Sequence, residues 1–338
     1  MTAKPALEYA FYAALVAAAI VFPFLASNEY QVYVMALAFI WAIAAMGLNL
    51  IVGYTGQLNL AHAGFMAIGA YTVGLLTTDY GVPFWIAFLL AGPFAAILGF
   101  FAGLLSLRLK THFFSIFTLC VGYIIYLLIE KWESLTHGTV GVIGIPAPGA
   151  IGPITFDTTV SVYYLVLAFL VATIFVMRRL VRSLVGRSFV AIRNSDELAE
   201  ALGINLMRTK VMAFTLSTFI AGLAGGLYAG FVRFLGQDLA REYHTFDMIA
   251  FILVGGIGTL MGPVLGAIVL TWLTQSLQFL NDYRLIVFGP LLILLVMFFP
   301  HGFIGSFGRW QARRRERLAR PAVKPARTAV QEGASANA

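Results

Sequence analysis

Four hydrogen-bonding side chains, Asn49, Gln57, Asn59 and His62, lie in an otherwise apolar stretch that glycine interrupts between Gly53 and Gly64. A second break, Gly255-Gly256-Ile257-Gly258-Thr259-Leu260-Met261-Gly262-Pro263, divides the apolar region from Phe246 to Phe279. Asn59 and His62 are three apart, the spacing that puts two side chains on one helical face. Their chemistry is hydrogen bonding without fixed charge, directed either at a passing solute or at a neighbouring helix. Backbone at membrane depth must have its polar groups satisfied, so a glycine break there lies within protein or lines a cavity. Interrupted segments in both halves of a transporter point to its translocation path. Half-helix ends present N–H and C=O groups suited to the carboxylate and ammonium of a zwitterion. Asn49, Gln57, Asn59, His62, Gly255, Gly256 and Gly258 are therefore the candidate path residues.

The stretch Asn194-Ser195-Asp196-Glu197-Leu198-Ala199-Glu200-Ala201-Leu202-Gly203 is of another kind, an acidic segment set among arginines. Asn194 is a good N-cap, and Glu197 three residues on can reach back to it as a capping box. Asp196 and Glu197 fall in the first turn, where the helix dipole favours negative charge. Gly203 can take the left-handed conformation that ends a helix. So short a helix is marginal alone in water, and Ile192, Leu198 and Leu202 offer it apolar contacts. On the cytoplasmic side of a membrane protein it can dock a soluble partner.

Membrane helices must position both groups. Hydrophobic residues make up 60% of the 338 and charged residues 11%, against about 25% charged in a soluble domain. Mean hydropathy is +0.89. Apolar runs of about 20 residues, long enough to cross a hydrocarbon core of roughly 30 Å, recur along the chain. They predict spans at Tyr9 to Ala26, Tyr33 to Val52, Ala61 to Thr78, Phe84 to Leu107, Phe113 to Ile129, Val160 to Val176, Val211 to Val232 and Phe288 to Phe299. The broken region from Phe246 adds two short spans or a re-entrant pair. The expected fold is an all-α polytopic membrane protein of eight to ten transmembrane segments, with two Gly-broken or re-entrant elements. The short alternating segments of an outer-membrane barrel are not seen.

With the N-terminus, the Arg108 to His112 turn, the Arg178 to Lys210 loop and the tail in the cytoplasm, 18 of the 22 Lys and Arg lie there. Lys131, Arg233, Arg241 and Arg284 remain outside, a split that sets the orientation. Segment one reads as an anchor, since Ala26-Ser27-Asn28 is a poor cleavage site. The chain divides into a membrane domain over 1–308 and a basic, disordered cytoplasmic tail over 309–338. Within the domain, 131–159 forms an external loop and 178–210 a cytoplasmic loop carrying the 194–203 helix. The tail arginines could bind anionic lipid head groups or serve as a topology anchor. The net charge of +7 gathers beside spans and so does not indicate nucleic acid. The one cysteine, Cys120, reads as a small packing residue and excludes a disulfide framework. No G-x-x-x-x-G-K-[ST] occurs, so ATP is not bound through a P-loop. No metal signature, nucleophile motif or membrane-centre charge suggests a cofactor, an intramembrane enzyme or an ion relay. Energy must come from a partner.

Glu197-Leu198-Ala199-Glu200-Ala201-Leu202-Gly203 resembles the EAA-x-x-x-G loop of bacterial ABC importer permeases. Glu197, Ala199 and Gly203 fall on the motif's Glu, second Ala and Gly, and Leu198 departs at its first Ala. The stretches Gly47 to Phe65, Ala201 to Asn205, Ala221 to Ala229 and Gly255 to Ala267 look like the LivM-type permease of branched-chain amino acid ABC transporters. The likeness runs from about Leu37 to Leu277, with departures at Tyr123 and at Thr274-Gln275. It implies a permease subunit in the bacterial inner membrane, with both termini cytoplasmic, that translocates branched-chain or related small hydrophobic amino acids. It implies two ATP-binding subunits, a second homologous permease and an external solute-binding protein as partners. Asn194, Asp196, Glu197, Ala199 and Gly203 are then the residues that couple to the ATPase. Similar permeases serve urea and short amides, and a stand-alone secondary transporter or facilitator is the alternative from another class.

Overall fold

The computed structural model describes residues 3–106, 111–150, 152–153, 155–276 and the single positions 289, 297 and 302. Most of the expected span from Phe288 to Phe299, the tail over 309–338 and most of the Arg108 to His112 turn lie outside the described residues. The elements are α1 (Ala3–Leu25), α2 (Glu29–Asn49), a π-helical turn (Leu50–Tyr54), α3 (His62–Thr78), α4 (Phe84–Ser106), α5 (Thr111–Lys131) and a short α6 (Glu133–Thr136). After strand β1 (Val142–Ile143) come α7 (Thr159–Arg182), α8 (Leu184–Asn194), α9 (Asp196–Ala201) and α10 (Leu206–Val232). Strand β2 (Phe234–Leu235), a 3-10 turn (Gln237–Ala240), α11 (Glu242–Gly255) and α12 (Gly262–Ser276) complete it.

Five described segments are long and apolar enough to cross a membrane: Glu29–Tyr54, Phe84–Ser106, Phe113–Lys131, Thr159–Arg182 and Leu206–Val232. The apolar helices α3, α11 and α12 have 17, 14 and 15 residues. At 1.5 Å per residue they reach about 21 to 26 Å. These are the helices that adjoin the two glycine breaks. The architecture is the expected all-α membrane bundle, trimmed by one two-stranded antiparallel ribbon pairing Val142 with Leu235 and Ile143 with Phe234.

The span Glu29–Tyr54 forms the centre, with 83% of its most apolar stretch buried, whereas 28% is buried for Phe113–Lys131 at the periphery. The outer faces of α4 and α5 display Leu89, Phe101, Phe113, Ile116 and Leu128, the side chains a lipid-facing surface requires. Cys120 is exposed on α5 rather than packed inside. In α1, Pro23 lacks the N–H that Ala19 would otherwise receive four residues back. The Tyr163 hydroxyl of α7 donates to that Ala19 carbonyl at 2.6 Å, and Tyr164 donates to Ile20 at 2.9 Å.

The segment over 178–210 is mostly helical rather than a loop around one helix. α7 continues to Arg182, and Ser183 then caps α8 by accepting from Gly186 N–H. The loop over 131–159 folds back on the bundle. His137 Nε2 lies 3.0 Å from Asp79, and Trp85 donates to the Gly149 carbonyl at 2.7 Å.

Glycine sets how closely α10 approaches its neighbours. A Cβ at Gly225 would strike the Met66 carbonyl of α3, and one at Gly222 the Ala91 carbonyl of α4. Ser217 donates to the Gly47 carbonyl of α2 at 2.7 Å across the same contact surface. Small residues at such surfaces let helices pack where lipid provides no hydrophobic drive between them. Gly225→Leu is expected to cost about 1–3 kcal/mol or more through overpacking against fixed backbone. A thermal melt of the detergent-solubilised protein would show it. Gly149→Ala, whose Cβ would meet only Trp85 at 3.8 Å, should stay within about 0.5 kcal/mol of the parent.

Candidate functional site

The first break begins where α2 widens into the π turn at Leu50–Tyr54. Thr55 donates to the Ile51 carbonyl at 2.6 Å, Gln57 N–H donates to the same carbonyl at 3.1 Å, and the chain leaves the helix. Gly56 has φ +74, the left-handed value that glycine takes without strain. The segment from Thr55 to Ala61 is not helical, yet Thr55, Gln57, Asn59 and Ala61 are buried. Neighbouring helices supply its missing hydrogen bonds. Leu60 N–H donates to Thr118 Oγ1 of α5 at 3.1 Å, and Ala63 N–H donates to Thr245 Oγ1 of α11 at 3.0 Å. Asn59 Oδ1 accepts from Ala61 N–H at 3.0 Å. Asn59 therefore belongs to a turn and His62 to the first residue of α3. The shared helical face expected from their spacing does not form, because the helix starts later than Asn59.

His62 is fully buried, with Nε2 at 2.9 Å from the Ala44 carbonyl. A carbonyl only accepts, so Nε2 carries the proton and, in the neutral ring, Nδ1 is an acceptor. Among the described residues His62 Nδ1, Asn59 Nδ2 and Gln57 Oε1 have no hydrogen-bond partner. Each such buried atom costs about 1–3 kcal/mol. Three within six positions make a polar patch with one donor and two acceptors inside an apolar bundle.

The second break is a tight turn between α11 and α12. Gly256 has φ +125 and Gly258 φ +70. Thr259 Oγ1 donates to the Gly256 carbonyl at 2.8 Å and accepts from Gly262 N–H at 3.1 Å, closing the turn upon itself. Its tip does not stand at mid-span; it meets the end of α2. The Asn49 carboxamide accepts from Gly258 N–H at 3.0 Å and donates to the Thr259 carbonyl at 2.8 Å. Both ends of that amide are used, which fixes its orientation. At the other end of α12, Tyr30 donates to Gln275 Oε1 at 2.8 Å, so α12 runs antiparallel to α2. Asn49, Gly53 and Gly258 are thus joined, because a Cβ on Gly53 would collide with Asn49 Oδ1 and Gly258 N. Gly255 and Gly256 are buried, and a Cβ on Gly255 would overlap the Gly262 backbone.

The acidic helix α9 spans Asp196–Ala201. Asn194 is not its cap: it is the last residue of α8, and Ser195 N–H still donates to Ala191. The extended Ser195 caps α9 by accepting from Leu198 N–H at 3.2 Å. The third helical residue is then Leu198, so Glu197 closes no capping box. Preceding helix thus extends through one good cap residue to its equally good neighbour. The end of α9 matches the expectation. Gly203 has φ +82, Gly203 N–H donates to Glu200 and Ile204 N–H donates to Ala199, a complete Schellman motif. Asp196 pairs with Lys210 of α10 at 2.6 Å, and Ala199 is buried. Of the three apolar residues expected to pack α9, Ile192 is buried, whereas Leu198 and Leu202 are 61% and 71% exposed. They stand four apart beside the exposed Glu197. Asn49, Gly53 and Gly258 lie at the end of the bundle that carries α9, where Arg193 donates to the Gly53 carbonyl, whereas His62 reaches the Ala44 carbonyl further back along α2.

Sequence reasoning missed Arg193, Thr118, Thr245 and Thr259, all of which bond to break backbone. Only the rule that buried backbone needs partners points to such residues, and it does not say which ones. Among the described residues no group of three or more His, Cys, Asp or Glu could hold a metal ion.

Comparison with known proteins identifies the family of the chain. Residues 30–296 match the family described as branched-chain amino acid transport system / permease component. The chain is 32% identical over 316 residues to the high-affinity branched-chain amino acid transport system permease protein LivM of Escherichia coli, covering 87% of this chain and 74% of the relative. It is 25% identical to LivH, the permease of the same name from that organism, over 78% of this chain and 91% of LivH. It is 27% identical to the autoinducer 2 import system permease protein LsrC of an Enterobacter strain, over 68% of this chain and 66% of LsrC. No solved structure matches. A multi-pass apolar bundle with this match over most of its length is a permease subunit of an ABC importer, and the chain belongs to the branched-chain amino acid transport permease family.

Proposed function

We propose that the chain carries branched-chain or related small hydrophobic amino acids across the bacterial inner membrane. It forms one part of a pore completed by a second, homologous permease. Two ATP-binding subunits drive it and an external solute-binding protein delivers the solute. The observation that carries this reading is the meeting, at one end of the bundle, of the second glycine break, the start of the first and the Arg-bearing α8 with the acidic α9 beside it. The names of LivM and LivH support the solute class, and likeness to two permeases named for the same transport system of one organism supports a second permease.

The Arg-rich end faces the cytoplasm together with both termini, because most Lys and Arg lie there. Residues 1–308 are the membrane domain, with 131–159 external and 178–210 cytoplasmic. The basic tail over 309–338 lies against anionic lipid head groups. Energy reaches the chain through Glu197, Leu198 and Leu202, the exposed edge of α9, seated on an ATP-binding subunit. Asp196 and Ala199 fix α9 to the bundle from its inner side, Gly203 ends it, and Asn194 and Ser195 join it to α8. The solute passes the first break, where Gln57 Oε1 and His62 Nδ1 accept from an ammonium group and Asn59 Nδ2 donates to a carboxylate. Asn49, Gly255, Gly256 and Gly258 form the inner closure of that path.

Two substitutions test the two halves of this reading. Gln57→Met removes a buried unpartnered acceptor while keeping its shape, so the melting temperature should hold or rise. Uptake of radiolabelled leucine by the reconstituted importer should fall roughly tenfold, the loss of one hydrogen bond of about 1–2 kcal/mol. Undiminished uptake would remove Gln57 from the path. Leu198→Asp with Leu202→Asp changes only exposed positions, so the chain should express and melt normally. Its affinity purification should no longer retain the ATP-binding subunit. Retention at the parental level would exclude α9 as the docking element.

A further inference from the structure

The Arg193 side chain leaves α8 and reaches into the knot where the two breaks meet. Its Nη1 donates to the Gly53 carbonyl within the π turn. That helix ends at Tyr54, so the Gly53 carbonyl is among the terminal groups that lack an intrahelical donor. A Cβ on Gly258 would clash with the same Nη1, and Arg193 Cγ lies 3.2 Å from where one on Gly56 would be. One side chain thus touches three glycines drawn from both breaks. The contacts with Gly56 and Gly258 depend on the missing Cβ, so there the fit is to bare backbone. Arg193 is itself exposed on α8 and is not a packed core residue.

The connection outward is short. Arg193 is the penultimate residue of α8, and Ser195 ends α8 and begins α9 with no intervening loop. α9 in turn is tied to α10 by Asp196 and Lys210. A displacement of α9 therefore moves the Arg193 backbone, which is two residues away. Asn49 holds the second break to the end of α2 through Gly258 and Thr259, and Gly53 is pressed against Gly258, so a pull on Gly53 bears on both breaks. A guanidinium suits this place better than an ammonium. Its planar fork can hold a carbonyl from one edge while the rest of the group lies flat against Gly258.

We infer that Arg193 is the positioning residue that couples α9 to both glycine breaks, latching the cytoplasmic mouth shut through the Gly53 carbonyl until α9 moves. The inference rests on the coupling role of α9 proposed above and adds the residue through which it acts. The latch is a charge-assisted bond to one carbonyl, strong enough to hold a closed state and single enough to release.

The test uses the whole importer, reconstituted in liposomes with its partner permease, ATP-binding subunits and solute-binding protein, and reads solute moved per ATP hydrolysed. Arg193→Ala and Arg193→Gln are expected to co-purify with the ATP-binding subunits at parental yield and to keep hydrolysing ATP. Solute moved per ATP should fall by roughly 5- to 150-fold, the usual span of a coupling between sites. Arg193→Lys, which keeps a charged donor, should recover part of that ratio. A parental ratio in Arg193→Ala would overturn the latch. So would failure of both Ala and Gln variants to assemble, since that marks a residue needed for folding. A parental chain that moves solute without ATP-binding subunits would sink the coupling role of α9 and the latch with it. A parental importer that couples normally, beside variants that also do, sinks the latch alone.

Discussion

Backbone that leaves a helix inside an apolar bundle must find a partner for every N–H and C=O, since no lipid can provide one. The two breaks in this chain meet that demand by bonding to neighbouring helices, the second to the end of α2 beside the start of the first. The Asn49 carboxamide accepts from Gly258 N–H and donates to the Thr259 carbonyl, as a neighbouring strand would. From that pairing the rest of the arrangement follows. The α11–α12 turn is held at the end of α2, α12 is laid antiparallel along α2, and Gly53 is pressed so close that it can carry no side chain. The outer end of the first break is satisfied in the same way by Thr118 of α5 and Thr245 of α11. The breaks are therefore built into the bundle, and a shift in one must be felt by the other.

Glycine does two separate jobs here. In α10 it provides nearness: Gly222 and Gly225 bring helix backbones into contact with α4 and α3 without any unusual dihedral. At the breaks it also provides conformation, with left-handed φ at Gly56 and Gly258. The first use makes a rigid slab of α3, α4 and α10, and the second makes tight turns whose backbone stays available for bonding. A permease needs both, because a moving closure has to work against something fixed.

The acidic helix α9 shows how one element divides its faces. Ala199 and Asp196 bind it inward, while Glu197, Leu198 and Leu202 remain outside. Exposed leucines four apart on so short a helix gain nothing from water, and they become intelligible as the surface of a larger assembly. The polar patch of Gln57, Asn59 and His62 is the converse, a set of groups deep in apolar surroundings with bonding capacity left over. Both cost stability in the isolated chain, and such costs are expected where function is placed.

Composition and hydropathy alone determined the class of this protein, the position of most helices and the location of both breaks, because apolar length and glycine clusters are local signals. The left-handed end of α9 at Gly203 was legible for the same reason, since it depends on a few adjacent residues. Tertiary structure decided what local signals leave open. Asn194 and Ser195 are both good caps, and the extension of α8 chose Ser195. Leu198 and Leu202 carry apolar side chains that read as packing, and only the folded bundle shows that they are 61% and 71% exposed. Asn59 and His62 have helical spacing, but Thr118, far away in the chain, holds the backbone before His62 out of the helix, and Thr245 takes the Ala63 N–H where the helix begins. The same holds for Asn49 and Arg193, whose partners are about 210 and 140 residues distant. Pairing at such separations depends on how helices stack, which hydrophobic periodicity encodes only as a face and never as a specific neighbour.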